Sequence, residues 1–247
     1  YQLMALIIFI NLICSFLIST EEKNEKLVEL NHINSIVEPI KDFFERFGMK
    51  LASMLLLIVA TYRLTDIVMG PMANPFYIDT GYSLTEIGYV KIIALMATIV
   101  GVFVGGFLIK QIGLYKSLMI GAVLVMFTNV LFSFAAINDK NIFLLSSIVA
   151  SDSITAGIVG TVNITFLTSL VSTKYTGFQY ALFTSLMAFL GKTFSGFSGI
   201  LVENFQEIFG FSYGWMSFYV FTSLLAIPAI LLIYLNRNFF IKTDATA

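Results

Sequence analysis

Residues 87–109 read IGYVKIIALMATIVGVFVGGFLI and hold a single charged side chain, Lys91. A helix needs about 20 predominantly apolar residues to cross the hydrocarbon core of a bilayer, and this stretch is long enough. Its apolar residues do not alternate with polar ones, which argues against a strand of a membrane barrel. The stretch therefore predicts a transmembrane helix.

Six further stretches have a similar length and character. The sequence therefore predicts an all-α integral membrane protein with seven transmembrane helices, embedded in the lipid bilayer. The predicted spans are 1–18, 49–70, 87–109, 117–137, 142–171, 178–202 and 214–235.

The composition excludes the common soluble classes. Of the 247 residues, 58% are hydrophobic and 12% are charged, against about 25% charged in an ordinary soluble domain. The net charge of −1 comes with no basic stripe, so no nucleic-acid partner is expected. Cys14 has no second cysteine to pair with, and the glycine-rich, phosphate-binding and zinc-enzyme motifs are absent from the sequence. We expect a protein that is not an enzyme and binds neither metal nor cofactor.

Lysine and arginine residues in the loops set the predicted orientation. Ten of them fall on one side of the membrane, and two, Lys91 and Lys140, fall on the other. The positive-inside rule places the ten in the cytoplasm, so the chain enters from outside and its C-terminus is cytoplasmic. The ten are Lys23, Lys26, Lys41, Arg46, Lys50, Lys110, Lys116, Lys174, Arg237 and Lys242.

The long loop 19–48 contains an apolar stripe. Apolar residues recur there every three or four positions, which predicts an amphipathic helix that is interrupted or kinked at Pro39. Such a helix either lies on the cytoplasmic leaflet or packs as a linker beneath the bundle, and the sequence leaves both readings open. The stripe consists of Leu30, Ile33, Val37, Ile40, Phe44 and Phe47.

Away from the ends of the predicted spans, which hold Lys50 and Lys91, four charged side chains lie within the spans: Arg63, Asp66, Asp152 and Lys192. A charge at mid-bilayer costs about 2.5–3.5 kcal/mol, so each of them is a candidate functional residue. Arg63 and Asp66 are three residues apart, share a helix face and can neutralise each other. Two acids and two bases at similar depth predict either one water-filled polar cavity or buried ion pairs that only fix the helix register.

Glycines indicate where helices approach closely. Several fall on the third and sixth spans and on the segment after Asp152, and we expect them to serve packing or gating. The segment 70–75, GPMANP, predicts a break or bend near the mouth of the cavity. The glycines are Gly101, Gly105, Gly106, Gly157, Gly160, Gly191 and Gly196.

The turn after the third span reads GFLIKQIGLYK over residues 106–116. It resembles a degraded form of the signature between paired helices of the major facilitator superfamily, running from Gly106 through Gly113 to the terminal cation Lys116. Lys110 stands where that family usually has an acid, which departs from its charge relay. The resemblance implies a gating role for Lys110, Gly113 and Lys116.

Other stretches resemble the AmpG muropeptide permeases of that superfamily. They are YRLTD at 62–66, ATIVG at 97–101, FQYAL at 178–182 and GWMSFY at 214–219. The related acetyl-CoA transporter branch, which shares this layout, and other solute transporters of the superfamily are the alternatives.

The resemblance implies a twelve-helix transporter of which this chain is a fragment or half, holding helices six to twelve. Residues 1–18 would then be the last helix of the first half, 19–48 the loop between the halves, 49–236 a six-helix C-terminal half and 237–247 a cytoplasmic tail. The N-terminal half would be supplied in cis or in trans.

The implied function is proton-coupled import of anhydromuropeptides, which are small anionic glycopeptides, across the inner membrane. The proton gradient is the energy source. Arg63, Lys192 and Asn163 are the expected substrate contacts, and Asp66 or Asp152 is expected to take and release the coupling proton.

The sequence has two other interpretations. A non-functional remnant of a split transporter gene has the same sequence features. A seven-helix receptor is disfavoured because no acid-arginine-aromatic triplet follows the third span and no second cysteine exists for an extracellular bridge.

Overall fold

A computed structural model describes residues 8–9, 12–14 and 32–246, and most of the predicted first span lies outside them. The chain divides into two compact units, Tyr1–Glu38 and Pro39–Ala247. The helices described from residue 32 onward are α1 His32–Thr61, α2 Leu64–Asp79, α3 Leu84–Ile137, α4 Ile142–Leu170, α5 Thr176–Ser195, α6 Ser198–Phe209, α7 Phe211–Leu224, α8 Ile227–Leu235 and α9 Arg237–Thr246.

Helix α3 is folded back on itself. Its 54 residues would extend about 81 Å if straight, far more than the bilayer's hydrocarbon core of about 30 Å. At Gly113 the backbone takes φ 82° and ψ 170°, a left-handed conformation that favours glycine. Glu86 in the first turn of α3 lies close to Lys140, just after the last residue of α3, with Lys140 Nζ 2.8 Å from Glu86 Oε2. The predicted spans 87–109 and 117–137 are therefore the two arms of a hairpin.

Five helical stretches are long and apolar enough to cross a membrane, and one of them is this hairpin. The prediction of an all-α membrane protein is confirmed for the described residues, whereas the count of seven spans and the orientation stay predictions. The stretches are Ile36–Asp79, Leu84–Ile137, Ile142–Leu170, Thr176–Phe209 and Phe211–Leu235.

The segment 70–75 contains no break, since α2 runs without interruption through Pro71 and Pro75; the alternative expectation of a bend there stays a prediction. Membrane helices tolerate proline where neighbouring groups satisfy the freed backbone carbonyls. The interruption falls earlier, at Tyr62 and Arg63, where the chain forms a turn between α1 and α2. It therefore lies directly beside the first pair of intramembrane charges.

Helices α3 and α4 cross at backbone contact. A methyl group added at Gly101 would meet the carbonyl of Ile154, and one added at Gly157 would meet the carbonyl of Thr98. Gly105, one turn further along α3, faces α4 in the same way. Each helix thus uses glycine where the other approaches most closely.

The segment 39–47 of α1 packs on the bundle, which is the linker reading of the amphipathic helix. Phe43 is 3% exposed and meets Phe183 edge to face, with ring centroids 5.1 Å apart. Val37, which the predicted stripe includes, is 52% exposed. The buried face of this segment is therefore centred on Phe43, which the predicted stripe does not include.

The predicted tail 237–247 contains α9, and this helix also packs on the bundle. Phe240 is buried, with its ring centroid 5.7 Å from that of Phe166 on α4 and 6.2 Å from that of Tyr115 beside Gly113. The end of the bundle that carries Gly113 is thus covered by aromatic side chains.

Candidate functional site

Arg63 and Asp66 form an ion pair at the start of α2. Arg63 Nη2 lies 3.5 Å from Asp66 Oδ2, and the two side chains are 31% and 19% exposed. This confirms the pairing predicted from their spacing. Arg63 Nε, Thr65 Oγ1 and Asp66 Oδ2 are nevertheless buried without a hydrogen-bond partner among the described residues. The pair therefore keeps unused hydrogen-bonding capacity.

Asp152 lies on α4. Thr128 Oγ1, from the second arm of α3, donates a hydrogen bond to Asp152 Oδ1 at 3.1 Å. Among the described residues, Asp152 has no cation at ion-pair distance. The carboxylate therefore has a hydroxyl donor but no charged partner in that part of the chain.

Lys192 lies beside α2, because the preceding residue, Gly191, packs against that helix. A methyl group added at Gly191 would lie 2.6 Å from Ile67 Cδ1, so α5 touches α2 one residue past Asp66. The Lys192 side chain is exposed and has no ion-pair partner in the part of the chain that the structure describes. It is thus available to a negatively charged group.

Asn163 is the most deeply buried of the predicted substrate contacts, at 3% exposed. Its Nδ2 lies 3.6 Å from Met187 Sδ on α5, and its Oδ1 has no partner among the described residues. The amide thus sits between α4 and α5 with a free acceptor.

The predicted gating residues lie at and beside the turn of α3 at Gly113. Lys110 and Lys116 are exposed on either side of Gly113, and neither makes an ion pair within the described chain.

The predicted packing glycines fall into two groups. A methyl group at Gly106 or Gly160 would meet nothing within 4 Å, and one at Gly196 would contact only its own turn. These three glycines differ from Gly101, Gly105, Gly157 and Gly191, which lie at helix contacts.

Sequence reasoning missed a neutral polar cluster near Asp152. The cluster consists of Tyr77, Asn129, Trp215 and Tyr219, which are all at most 5% exposed. Trp215 stacks on Tyr219 with ring centroids 6.1 Å apart, and Asn129 follows Thr128, the donor to Asp152. A search limited to charged residues cannot find such a cluster. Asn129 could have indicated this cluster from the sequence, because its side-chain amide lies within an otherwise apolar span.

The arrangement combines a fixed ion pair, an aspartate without a cation partner and an exposed lysine. Such groups can bind an anionic solute and exchange a proton. Within residues 8–9, 12–14 and 32–246, no three His, Cys, Asp or Glu side chains come together as a possible metal site.

Comparison with known proteins gives one matching family model and several related chains. A model of the Major Facilitator Superfamily matches residues 1–196. Two proteins named "Putative transporter AmpG", number 1 of Rickettsia bellii and number 4 of Rickettsia conorii, are 30% and 31% identical to the chain. The alignments cover 96% and 90% of this chain, and 58% and 53% of those proteins.

A third relative is the anhydromuropeptide permease of Escherichia coli K12. It is 28% identical over 96% of this chain and 46% of its own length. The chain therefore spans about half the length of the relatives it matches. The apolar helices and the family match together identify a multi-pass membrane protein, and the chain belongs to the Major Facilitator Superfamily.

Proposed function

We propose that this chain forms the C-terminal part of a proton-coupled importer of anhydromuropeptides in the bacterial inner membrane. It would act with an N-terminal half supplied in cis or in trans. The proposal is supported by the similarity to AmpG transporters and to the permease whose name specifies this substrate. Transporters of this architecture rock one half against the other around a shared site, so both halves are needed.

The substrate's carboxylates are received by Arg63 and Lys192. Lys192 supports this role because it is exposed and lacks an ion-pair partner among the described residues. Arg63 supports it because its Nε is buried with no hydrogen-bond partner there, although its Nη2 lies near Asp66. Asn163 contributes an amide oxygen that can accept a hydrogen bond from the sugar or peptide.

Asp152 carries the coupling proton. The charge of Asp66 has a partner within this chain, because Arg63 Nη2 lies 3.5 Å from its Oδ2. Among the described residues, Asp152 has the Thr128 hydroxyl as its hydrogen-bond partner and no cation at ion-pair distance, so protonation removes a charge that no described cation balances. This difference between the two acids is the observation that carries the assignment.

Uptake measurements test the proposal. The chain is expressed alone, and in a second arm together with the N-terminal half of a full-length relative, in cells that lack their own permease. Right-side-out membrane vesicles receive labelled anhydromuropeptide in the external buffer under an inward proton gradient. The label accumulated inside is measured with and without a protonophore. We expect gradient-driven accumulation in at least one arm, lost with the protonophore and lost in Asp152→Asn.

Asp79→Asn is the matched control, because Asp79 is an exposed aspartate at the end of α2. It is expected to accumulate substrate as the unmodified protein does. Folded protein that accumulates nothing in either arm contradicts the transport function. Gradient-driven accumulation that persists in Asp152→Asn contradicts the role of Asp152.

A further inference from the structure

Three buried polar atoms near Asp152 have no hydrogen-bond partner among the described residues. They are Asn129 Oδ1, Trp215 Nε1 and the Tyr219 hydroxyl, on side chains that are 0%, 2% and 0% exposed. A buried polar group without a partner costs about 1–3 kcal/mol. Buried groups of this kind are usually satisfied by ordered water, which makes about three hydrogen bonds to them.

These atoms lie where α7 packs on the second arm of α3. Asn129 Nδ2 donates to Thr222 Oγ1 at 3.3 Å. One turn away on each helix, Tyr219 of α7 stacks on Phe132 of α3. Their ring centroids are 5.2 Å apart and the interplanar angle is 25°. The Asn129 amide and the Tyr219 ring therefore belong to one helix–helix contact.

The same contact is linked to Asp152 through Thr128 and to α2 through Phe76. Thr128, which precedes Asn129 in α3, donates directly to Asp152 Oδ1. The ring centroid of Phe76 on α2 lies 5.2 Å from that of Tyr219 and 6.0 Å from that of Tyr77. Tyr77 lies two residues before the exposed Asp79 at the end of α2. The two tyrosines thus join the end of α2 to the helix contact that holds Thr128.

We propose that Tyr77, Asn129 and Tyr219 hold a chain of ordered water that brings protons to Asp152 through the interior of this half. The inference rests on the proposed function of Asp152 as the proton carrier. It differs from delivery through the cavity shared by the two halves, because the three side chains are buried between helices of this chain alone.

The transfer requires no ionised tyrosine. Each hydroxyl accepts one proton from the water before it and donates its own to the water after it, so it remains neutral. One proton enters from the aqueous phase and one is bound by the Asp152 carboxylate. The Asn129 oxygen only accepts a hydrogen bond and orients the water, since an amide does not relay protons at neutral pH.

Infrared spectroscopy tests the path without any substrate. The purified full chain in lipid, at an acidic pH where Asp152 is protonated, is transferred to deuterated buffer. The carboxyl band that disappears in Asp152→Asn is then followed. We expect Tyr219→Phe to slow deuteration of this band at least tenfold. Tyr213→Phe is the matched control, since Tyr213 lies on the same helix and is 59% exposed; it should leave the rate unchanged.

Tyr77→Phe is the second variant, in case Tyr219→Phe does not fold. It removes a different hydroxyl of the same path and should also slow deuteration. Deuteration at the unmodified rate in a folded Tyr219→Phe or Tyr77→Phe protein overturns the proposal. A purely structural role of Tyr219 would change thermal stability but not this rate.

Vesicle transport separates this inference from the proposed function. Tyr219→Phe should keep substrate exchange without a gradient within twofold of the unmodified protein, and lose at least tenfold in proton-driven accumulation. If the unmodified protein shows no proton-driven accumulation, the proposed function fails, while the infrared result still decides whether the path exists. If it accumulates substrate and Tyr219→Phe does so equally, only the path fails.

Discussion

Gly101 on α3 lies directly against the backbone carbonyl of Ile154 on α4. The relation is reciprocal, because Gly157 on α4 lies against the carbonyl of Thr98 on α3. Neither contact leaves room for a methyl group, and the facing atoms belong to backbone that cannot rotate away. The crossing therefore fixes the position of α4, which carries Asp152, relative to the α3 hairpin, which carries Thr128.

Gly101→Ala is expected to destabilise the protein by about 1–3 kcal/mol, the usual cost of overpacking. The measurement is the thermal unfolding midpoint and the yield of monodisperse protein in detergent. Gly106→Ala is the control, because a methyl group there meets nothing within 4 Å. It should leave stability unchanged or raise it, since alanine is the better helix former. Equal midpoints for the two variants would contradict the close crossing.

Gln179→Leu is expected to loosen the segment 39–47 from the bundle. The fully buried Gln179 donates from Nε2 to the Pro39 carbonyl at 2.8 Å and to Asp42 Oδ2 at 3.0 Å. Its Oε1 accepts from the Ser172 amide at 2.7 Å and from Arg46 Nη2 at 3.0 Å. Leucine removes the side-chain partner of the Pro39 carbonyl and of the Ser172 amide, whereas Asp42 and Arg46 stay bonded to each other at 2.9 Å. At about 1–3 kcal/mol for each of these two buried groups, the change should cost about 2–6 kcal/mol.

The measurement is thermal unfolding combined with limited proteolysis near Gly48. Gln111→Leu serves as the control at an exposed position and should change the unfolding free energy by less than about 0.5 kcal/mol. A Gln179→Leu protein with unchanged stability and unchanged cleavage would mean that aromatic packing alone holds the segment.

Arg63→Gln and Asp66→Asn are expected to destabilise the protein more as single variants than together. Each single change leaves one partly buried charge without its partner, whereas the double variant removes both charges. A double-mutant cycle should give a coupling energy of about 0.5–3 kcal/mol. The measurement is unfolding in mixed micelles.

The pair Lys41–Glu45 provides the reference cycle for this measurement. Its atoms are 3.4 Å apart, much as in the Arg63 pair, but its side chains are 70% and 66% exposed. The coupling of such an exposed pair should not exceed about 0.5 kcal/mol. Equal coupling in the two cycles would show that burial adds nothing to the Arg63–Asp66 interaction.

Lys192→Gln is expected to raise the KM for anhydromuropeptide about tenfold, equivalent to about 1.4 kcal/mol. The physical reason is the loss of a cation that no described acid pairs with. Lys192→Arg should retain most of the affinity, and Lys91→Gln, an exposed lysine on α3, should retain all of it. An unchanged KM in Lys192→Gln would assign the substrate's carboxylates to other groups.

The sequence alone determined the all-α membrane architecture and the position of the four intramembrane charges. These properties are local, because the length of an apolar run and the cost of a charge in lipid do not depend on which helices are neighbours. The Arg63–Asp66 pair was predicted from a spacing of three residues on one helix; in the structure Arg63 is the residue before α2, and its side chain still reaches Asp66 in the first turn.

Only the tertiary structure decided which neutral polar groups matter. Thr98, for example, donates to the carbonyl of Ala94 in its own helix, whereas Thr128 also reaches Asp152 on another helix. Both are threonines in apolar spans, and a hydroxyl can bond within its own turn wherever the helix lies. Which of them joins a site depends on helix packing, and so do the burial of Tyr219 and the continuity of α2 through its prolines.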